Sequence, residues 1–281
     1  MKKVDLNYSD INLDQIVLNI KNDSVGKAIV EKLQLTDNDI ILYYELLNNY
    51  ISINKSCENC KSMKDCTHST KGHKYGLKVD DFGDLTDYFT ICSFYQDYYT
   101  KKKNLIYSTF DTEDVLDENQ KRFILDNPSL LGLDNIKKIV AIQTNTSKSG
   151  VYLKVNNSKI RLKLIKSLAY NLLKNHKVSI VKFSDLLKTI KSEFKIKEQD
   201  TFKILLDSEI LIIDGLGNEA ITAWSRDEIL LSLLDNRLQS DKTTILCSEY
   251  SIEDLKKLYK LGYNDDAKAN QLIDKIKEIC N

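Results

Sequence analysis

The sequence predicts an α/β chain: a C-terminal domain built on a parallel sheet, behind a helical N-terminal domain that carries metal-ligand side chains. Three observations predict it. From about residue 137 onward, apolar runs of strand length alternate with helical patterns, the mark of parallel strands joined by crossover helices. The segment 150–173 has the outline of a strand, a loop and a helix, the frame in which a phosphate-binding loop sits. And Cys57-Glu-Asn-Cys60 opens a short stretch that also holds two of the chain's three histidines.

Composition sets the bounds. A chain of 281 residues has room for about two domains. Basic and acidic side chains balance, 41 against 41, so no global field favours nucleic acid or an anionic membrane. One proline and nine glycines imply mostly regular structure with short connections. No apolar run approaches the roughly 20 residues of a membrane span. The opening MKKVDLNYSD turns acidic at once and lacks an apolar h-region, so it does not read as a signal peptide. The expected setting is cytoplasmic, with no membrane partner. The six cysteines are then expected as thiols or metal ligands rather than disulfides.

Taken in order, the N-terminal domain is expected over 1–104. Asn22-Asp23-Ser24 offers N-cap side chains for a helix over about 25–33, with Val25, Ala28, Ile29 and Leu33 on one stripe. Thr36 with Asp39 has capping-box spacing and starts a second helix that runs through Ile40, Tyr44, Leu47 and Tyr50. Residues 57–99 change character to cysteine, histidine, glycine and then the aromatic run 88–95, which reads as a small cross-linked module with short strands. Its aromatics, Tyr88, Phe89, Phe94, Tyr95, Tyr98 and Tyr99, read first as packing for a thin core and second as a base-stacking platform. Lys101-Lys102-Lys103 reads as the solvated start of a linker over 105–136. The C-terminal domain is expected over 137–281. Its strands are expected at 150–155, 177–183, 210–214 and 243–247, and its helices at about 158–174, 184–195, 221–240 and 266–280.

Cys57-x-x-Cys60 is the sharpest positive signal, because two thiolates at that spacing turn onto one tetrahedral ion. Spacing alone leaves two ligand sets open. Cys57, Cys60, Cys66 and His68 make a tight cluster; Cys57, Cys60, His73 and Cys92 close a larger loop and so constrain more chain. Either set is structural, since four protein ligands leave no open position for catalysis. The rival, a redox dithiol, needs a thioredoxin-like βαβ setting that this segment lacks.

The phosphate loop is a frame without its chemistry. Where G-x-x-x-x-G-K-[ST] would stand, the chain has Val155, Ile160, Arg161 and Leu162. The glycines that let backbone N–H groups wrap a phosphate are absent, Leu162 cannot ligate magnesium, and arginine lacks the compact ammonium of lysine. Downstream, Glu209-Ile-Leu-Ile-Ile-Asp214 has the form of a Walker B strand, an apolar run ending in a carboxylate, though Gly215 stands where a second acid often follows.

Taken together, these segments resemble the DnaI-like bacterial primosomal helicase loaders, of the AAA+ class. The resemblance is carried by Asn22-Asp23-Ser24-Val25, Leu35-Thr36-Asp37, Cys57-Glu-Asn-Cys60 and Lys71-Gly72-His73. Further on it rests on Gly150-Val-Tyr-Leu153, Phe183-Ser-Asp-Leu-Leu187, Leu211-Ile-Ile-Asp214, Trp224-Ser-Arg-Asp-Glu228, Ser248-Glu-Tyr250 and Lys268-Ala269. It implies an N-terminal zinc module that engages the replicative helicase and a C-terminal AAA+ (P-loop NTPase-like) domain that contacts single-stranded DNA. Carried over by position, the zinc ligands fall on Cys57, Cys60, His73 and Cys92. The departures weaken one activity. Glu249 replaces the amide of a Ser-Asn-aromatic sensor. Gln271 and Lys275 stand where the resemblance implies arginines, and the chain reads as ending short of a further sensor arginine. Asp214, Arg226 and Arg237 remain, and packing or ion pairing explains them as well.

The expectation is therefore a degenerate AAA+ domain with no catalytic residues. The chain would be a helicase-binding adaptor with structural zinc and no use of ATP. Its partners would be the replicative helicase and, beyond it, single-stranded DNA and a second copy of itself. The alternatives are an active ATPase with an unorthodox loop, in which Arg161 and Asp214 would serve, and a zinc-bearing regulator outside replication.

Overall fold

The computed structural model describes residues 12–196, 200–262 and 265–280; the opening MKKVDLNYSD and the terminal Asn281 lie outside the described residues. The chain divides into two units, Met1–Tyr98 and Tyr99–Asn281.

The first unit begins with four helices, α1 (Leu13–Asn22), α2 (Ser24–Leu33), α3 (Asp37–Leu42) and α4 (Tyr44–Glu58). Asp23 caps α2 by accepting from the N–H groups of Val25 and Gly26, and Thr36 with Asp39 closes the expected capping box on α3. The single helix expected from Thr36 to Tyr50 is two. Tyr43 interrupts it, yet Ile40 and Leu47 are both fully buried, so the apolar stripe reads straight through the break. These helices pack on an antiparallel pair, β1 (His73–Val79) and β2 (Leu85–Ile91), which contributes Tyr75, Leu77 and Leu85 to the core. The aromatic run is strand only as far as Ile91; its second half lies in a helix, α5 (Ser93–Asn104). Its rings do not form the expected core: Phe89 meets Tyr75 edge to face at 5.3 Å and Tyr88 lies over Gly76, yet Phe89 stays 60% exposed, Tyr99 54% and Tyr88 40%.

In the second unit a five-stranded sheet runs in the order β3 (Leu105–Ser108), β5 (Val178–Lys182), β6 (Ile210–Asp214), β7 (Thr243–Ser248), β4 (Val151–Lys154), with every pairing parallel. Connecting helices are α6 (Thr112–Val115), α7 (Gln120–Asp126), α8 (Leu133–Gln143), α9 (Ser158–Leu172), α10 (Phe183–Ile196) and α11 (Thr201–Asp207). A π-helical segment (Trp224–Leu231) continues as α12 (Ser232–Gln239), and α13 (Ile252–Leu258) and α14 (Asp266–Cys280) follow β7. Strands β6 and β7 are buried along their whole length, as central strands covered on both faces must be.

Two expectations are corrected here. The stretch 105–136 is no linker: it supplies the edge strand β3 and helices α6 to α8, and Ser167 of α9 donates to Gln120 O at 2.5 Å. Lys101 is likewise not solvated. It is buried, with its ammonium 4.3 Å from the centre of the Tyr170 ring. At the other end of the sheet, Gly150 donates to Ile279 O at 2.7 Å, and a Cβ there would stand 2.3 Å from Thr244 O, so only glycine admits this approach.

Two arginines hold this unit from within. Arg237, wholly buried, donates to the carbonyls of Leu205, Ser208 and Thr243 and to the Thr244 hydroxyl, tying α11 and the turn that follows it to β7. Burial lowers its pKa to about 9, still charged at neutral pH. Arg226 pairs with Asp227 and Asp265 and donates to Tyr259 O. Both residues thus have the packing and ion-pairing roles open to them from sequence.

Candidate functional site

The carboxyl ends of parallel strands are where open α/β sheets bind ligands. On this edge β4 ends at Lys154, β6 at Asp214 and β7 at Ser248, with β7 between the other two. Arg161, in the first turn after β4, and Asp214, at the end of β6, therefore meet in space.

The connection between β4 and α9 is only Val155-Asn156-Asn157. Ile160 and Arg161, aligned with the glycine and lysine of the motif, lie in the first turn of α9 rather than in a loop. The amides that would face an anion already have an acceptor: Asn157 Oδ1 takes the N–H groups of Lys159 (3.0 Å) and Ile160 (3.1 Å). The signal for this was present in the sequence, since Asn-Asn-Ser ahead of an apolar run is an N-cap signature.

Arg161 fills the rest of the site. It is 4% exposed and points into the space between β4, β6 and β7. Its Nε donates to Asp214 Oδ1 at 2.7 Å, its Nη1 donates to Val155 O at 3.1 Å, and the Glu249 carboxylate stands 3.8 Å from Nη1. Burial raises the Asp214 pKa, and the Arg161 guanidinium opposes that rise. The carboxylate that would hold magnesium is thus paired with a fixed internal cation. Ser248 Oγ donates to Leu216 O at 2.6 Å and so is also engaged within the chain.

Sequence reasoning missed Glu219. It lies in the loop after β6, buried, accepting from Tyr259 Oη at 2.6 Å and from Gly217 N at 2.9 Å. Burial raises its pKa. The last-helix positions are occupied locally: Lys275 pairs with Asp235 at 2.9 Å and with Glu278 at 3.2 Å.

In the first unit, Cys57 and Cys60 lie where α4 ends, with Cys60 N donating to Cys57 O at 3.1 Å. Cys92 follows β2, and Tyr95 N donates to its Sγ at 3.4 Å. His73 opens β1 and is directed elsewhere: its Nδ1 donates to Lys71 O at 3.1 Å and its ring lies 5.7 Å from that of Tyr95. Burial first, and then the charges of Cys60, Cys66 and Cys92, raise the Cys57 thiol pKa. Among the described residues no three His, Cys, Asp or Glu side chains stand close enough together to grip one ion. The set carried over from the resemblance does not close around a metal in this geometry.

No protein-family model matches the chain. It is 22% identical over 267 residues to the replicative helicase loader DnaI of Bacillus subtilis (strain 168), covering 92% of this chain and 86% of DnaI. Among solved structures, a crystal structure of DnaI aligns with 64% of this chain and 93% of its own, at 19% identity and a TM-score of 0.47. The DnaC helicase loader aligns with 53% of this chain and 86% of its own, at 20% identity and a TM-score of 0.43. The DnaI-like resemblance read from the motifs thus extends over nearly the whole chain. No helix among the described residues is long and apolar enough to cross a membrane.

Proposed function

We propose that this DnaI-like chain is a primosomal adaptor that binds the replicative helicase and uses no ATP. Its N-terminal domain, 1–104, would make the helicase contact and be stapled by structural zinc. Its C-terminal domain would be a degenerate AAA+ unit kept as a scaffold in the cytoplasm, for single-stranded DNA or for a second copy of the chain.

The observation that carries this reading is Arg161. A nucleotide-binding loop has to keep its cradle open and its acidic strand end free for magnesium. Here the guanidinium lies 2.7 Å from Asp214, and Asn157 accepts the first free amides of α9. The similarity to DnaI supports the replication role, since that protein is a replicative helicase loader.

The test has two arms on one preparation. In the first, a labelled ATP analogue with magnesium is titrated to millimolar concentration, and no saturable binding is expected. In the second, the intact chain is used to pull down the cognate replicative helicase, and retention is expected, weakened by Cys57→Ser. Saturable nucleotide binding would transfer the chain to the ATPase loaders. Failure to retain the helicase would reject the adaptor role.

A further inference from the structure

We propose that the tip of the β1–β2 hairpin is a docking wedge: Phe82, flanked by Asp80, Asp81 and Asp84, seats in an apolar socket with a basic rim on the replicative helicase. This rests on the helicase-binding reading above and names the surface that carries it.

Phe82 is 92% exposed, the most exposed large apolar side chain among the described residues. Single apolar side chains on a surface are ordinary. The setting of this one is not. Residues 80–84 join β1 to β2, and the other four are Asp, Asp, Gly and Asp, residue types that turns favour. The Phe82 side chain contributes almost no packing to that turn. Its backbone, by contrast, is pinned. Asp80 Oδ1 accepts from Phe82 N at 2.9 Å and from Asp84 N at 3.0 Å. Gly83 N donates to Asp80 O at 3.1 Å, and Asp80 N donates to Asp84 O at 2.9 Å. From outside the hairpin, Tyr43 Oη donates to Asp84 Oδ1 at 2.9 Å and ties the turn to the break between α3 and α4. The ring is thus presented on a fixed support, so little ordering entropy is lost when a partner covers it. Aromatic anchors that fill a pocket carry much of the energy of an interface. Leu42 and Tyr44, either side of Tyr43, are exposed as well, so this corner offers more than one apolar contact.

Charge selects the partner. The chain as a whole is neutral, and this corner is not. The segments 34–54 and 79–98, which Tyr43 and Asp84 join, hold eight acidic residues and no lysine, arginine or histidine. One of the eight, Asp37, is paired with Lys21. At the tip itself Asp81 and Asp84 are exposed on either side of Phe82. An anionic tip repels phosphate, so neither a nucleic-acid backbone nor an anionic membrane is its partner. A folded protein with an apolar pocket edged by lysine or arginine matches both the ring and the charge.

The experiment uses the full chain and the cognate replicative helicase, with affinity and association rate measured by surface plasmon resonance over a salt series. Phe82→Ser is expected to weaken binding by about tenfold to a hundredfold, the worth of burying one such ring. It is expected to leave the thermal melt unchanged, because the side chain touches so little of its own chain. Asp81→Lys is expected to slow association and flatten its salt dependence. Parent-like affinity in Phe82→Ser overturns the wedge and leaves the adaptor reading standing. A lowered melting temperature in that variant also overturns the wedge, by showing the ring packed. An association rate indifferent to Asp81→Lys overturns the basic rim. Loss of self-association in Phe82→Ser, seen by sedimentation with helicase affinity kept, places the socket on a second copy and overturns its assignment to the helicase. No binding by the unmodified chain rejects the adaptor reading and the wedge together.

Discussion

Replacing Arg161 by methionine removes the internal cation and leaves its shape roughly filled. Asp214 is then a buried carboxylate with no counter-ion, and Val155 O loses its donor. Breaking one half of a buried pair costs about 3–5 kcal/mol. The cost is set by charge, so it depends on pH. Asp214 already has a raised pKa, and without Arg161 it rises further. An unfolded aspartate titrates near about 3.9. Below that value both states hold the proton and the penalty is small. As pH rises, the unfolded state ionises while the folded one resists, so stability falls until the folded pKa is passed. The loss in Arg161→Met should therefore be smaller at pH 5 than at pH 8. The chain's single tryptophan is Trp224, in the second unit, so urea unfolding followed by tryptophan fluorescence reads the unit that holds the pair. The double variant Arg161→Met/Asp214→Asn should regain most of the loss, because the uncompensated charge is gone. A single-variant loss under about 1 kcal/mol and flat with pH would refute the reasoning, since no buried carboxylate would then depend on Arg161.

Three further outcomes follow from the same geometry. Glu219→Gln keeps partners for both side-chain atoms, since Tyr259 Oη can accept as well as donate, and it removes a carboxylate whose pKa burial raises; its stability relative to the parent should improve as pH rises from 5 to 8, measured by the same urea titration. Arg237→Met should cost more than about 3 kcal/mol, because several buried carbonyls lose their donor at about 1–3 kcal/mol each, and Arg237→Lys should recover little, having no planar fork to span them; a denaturation midpoint near the parent's would contradict this. Gly72→Ala forces a side chain into the Tyr95 ring at positive φ and should lower the melting temperature, where an unchanged midpoint would mean that the Tyr95 ring gives way freely.

How much was legible in the sequence depended on how local the cause was. The strand 210–214 appeared where expected because an unbroken apolar run can only be a buried strand there. The capping box at Thr36 and Asp39 was readable because both partners lie three residues apart. β3 was not readable: Leu105-Ile-Tyr-Ser is four residues long and follows lysines, too short for a period to show, and it is a strand because β5 lies beside it. The short helices of 105–136 are fixed in the same way, by packing on α9. At the site, the missing glycines, lysine and hydroxyl were all visible in 150–173. The Arg161–Asp214 pair was not, because Asp214 lies 53 residues from Arg161 and only the sheet order brings them together.

The Arg161–Asp214 pair and the Asn157 cap each stand in the way of a phosphate at this strand edge. A nucleotide would have to displace the guanidinium from Asp214, at about 3–5 kcal/mol, and Asn157 from the amides of α9, at about 1 kcal/mol. Together these weaken binding by about three to four orders of magnitude, so an affinity near 1 μM for an open loop would fall to about 1–10 mM here. Restoring lysine alone does not help. Arg161→Lys gives up the fork that reaches both Asp214 and Val155 O, and so loosens the pair. It still leaves Asn157 over the amides and a three-residue connection where a phosphate loop needs room. Each obstacle stands without the others, so tight phosphate binding at this strand edge would require all of them to be reversed together.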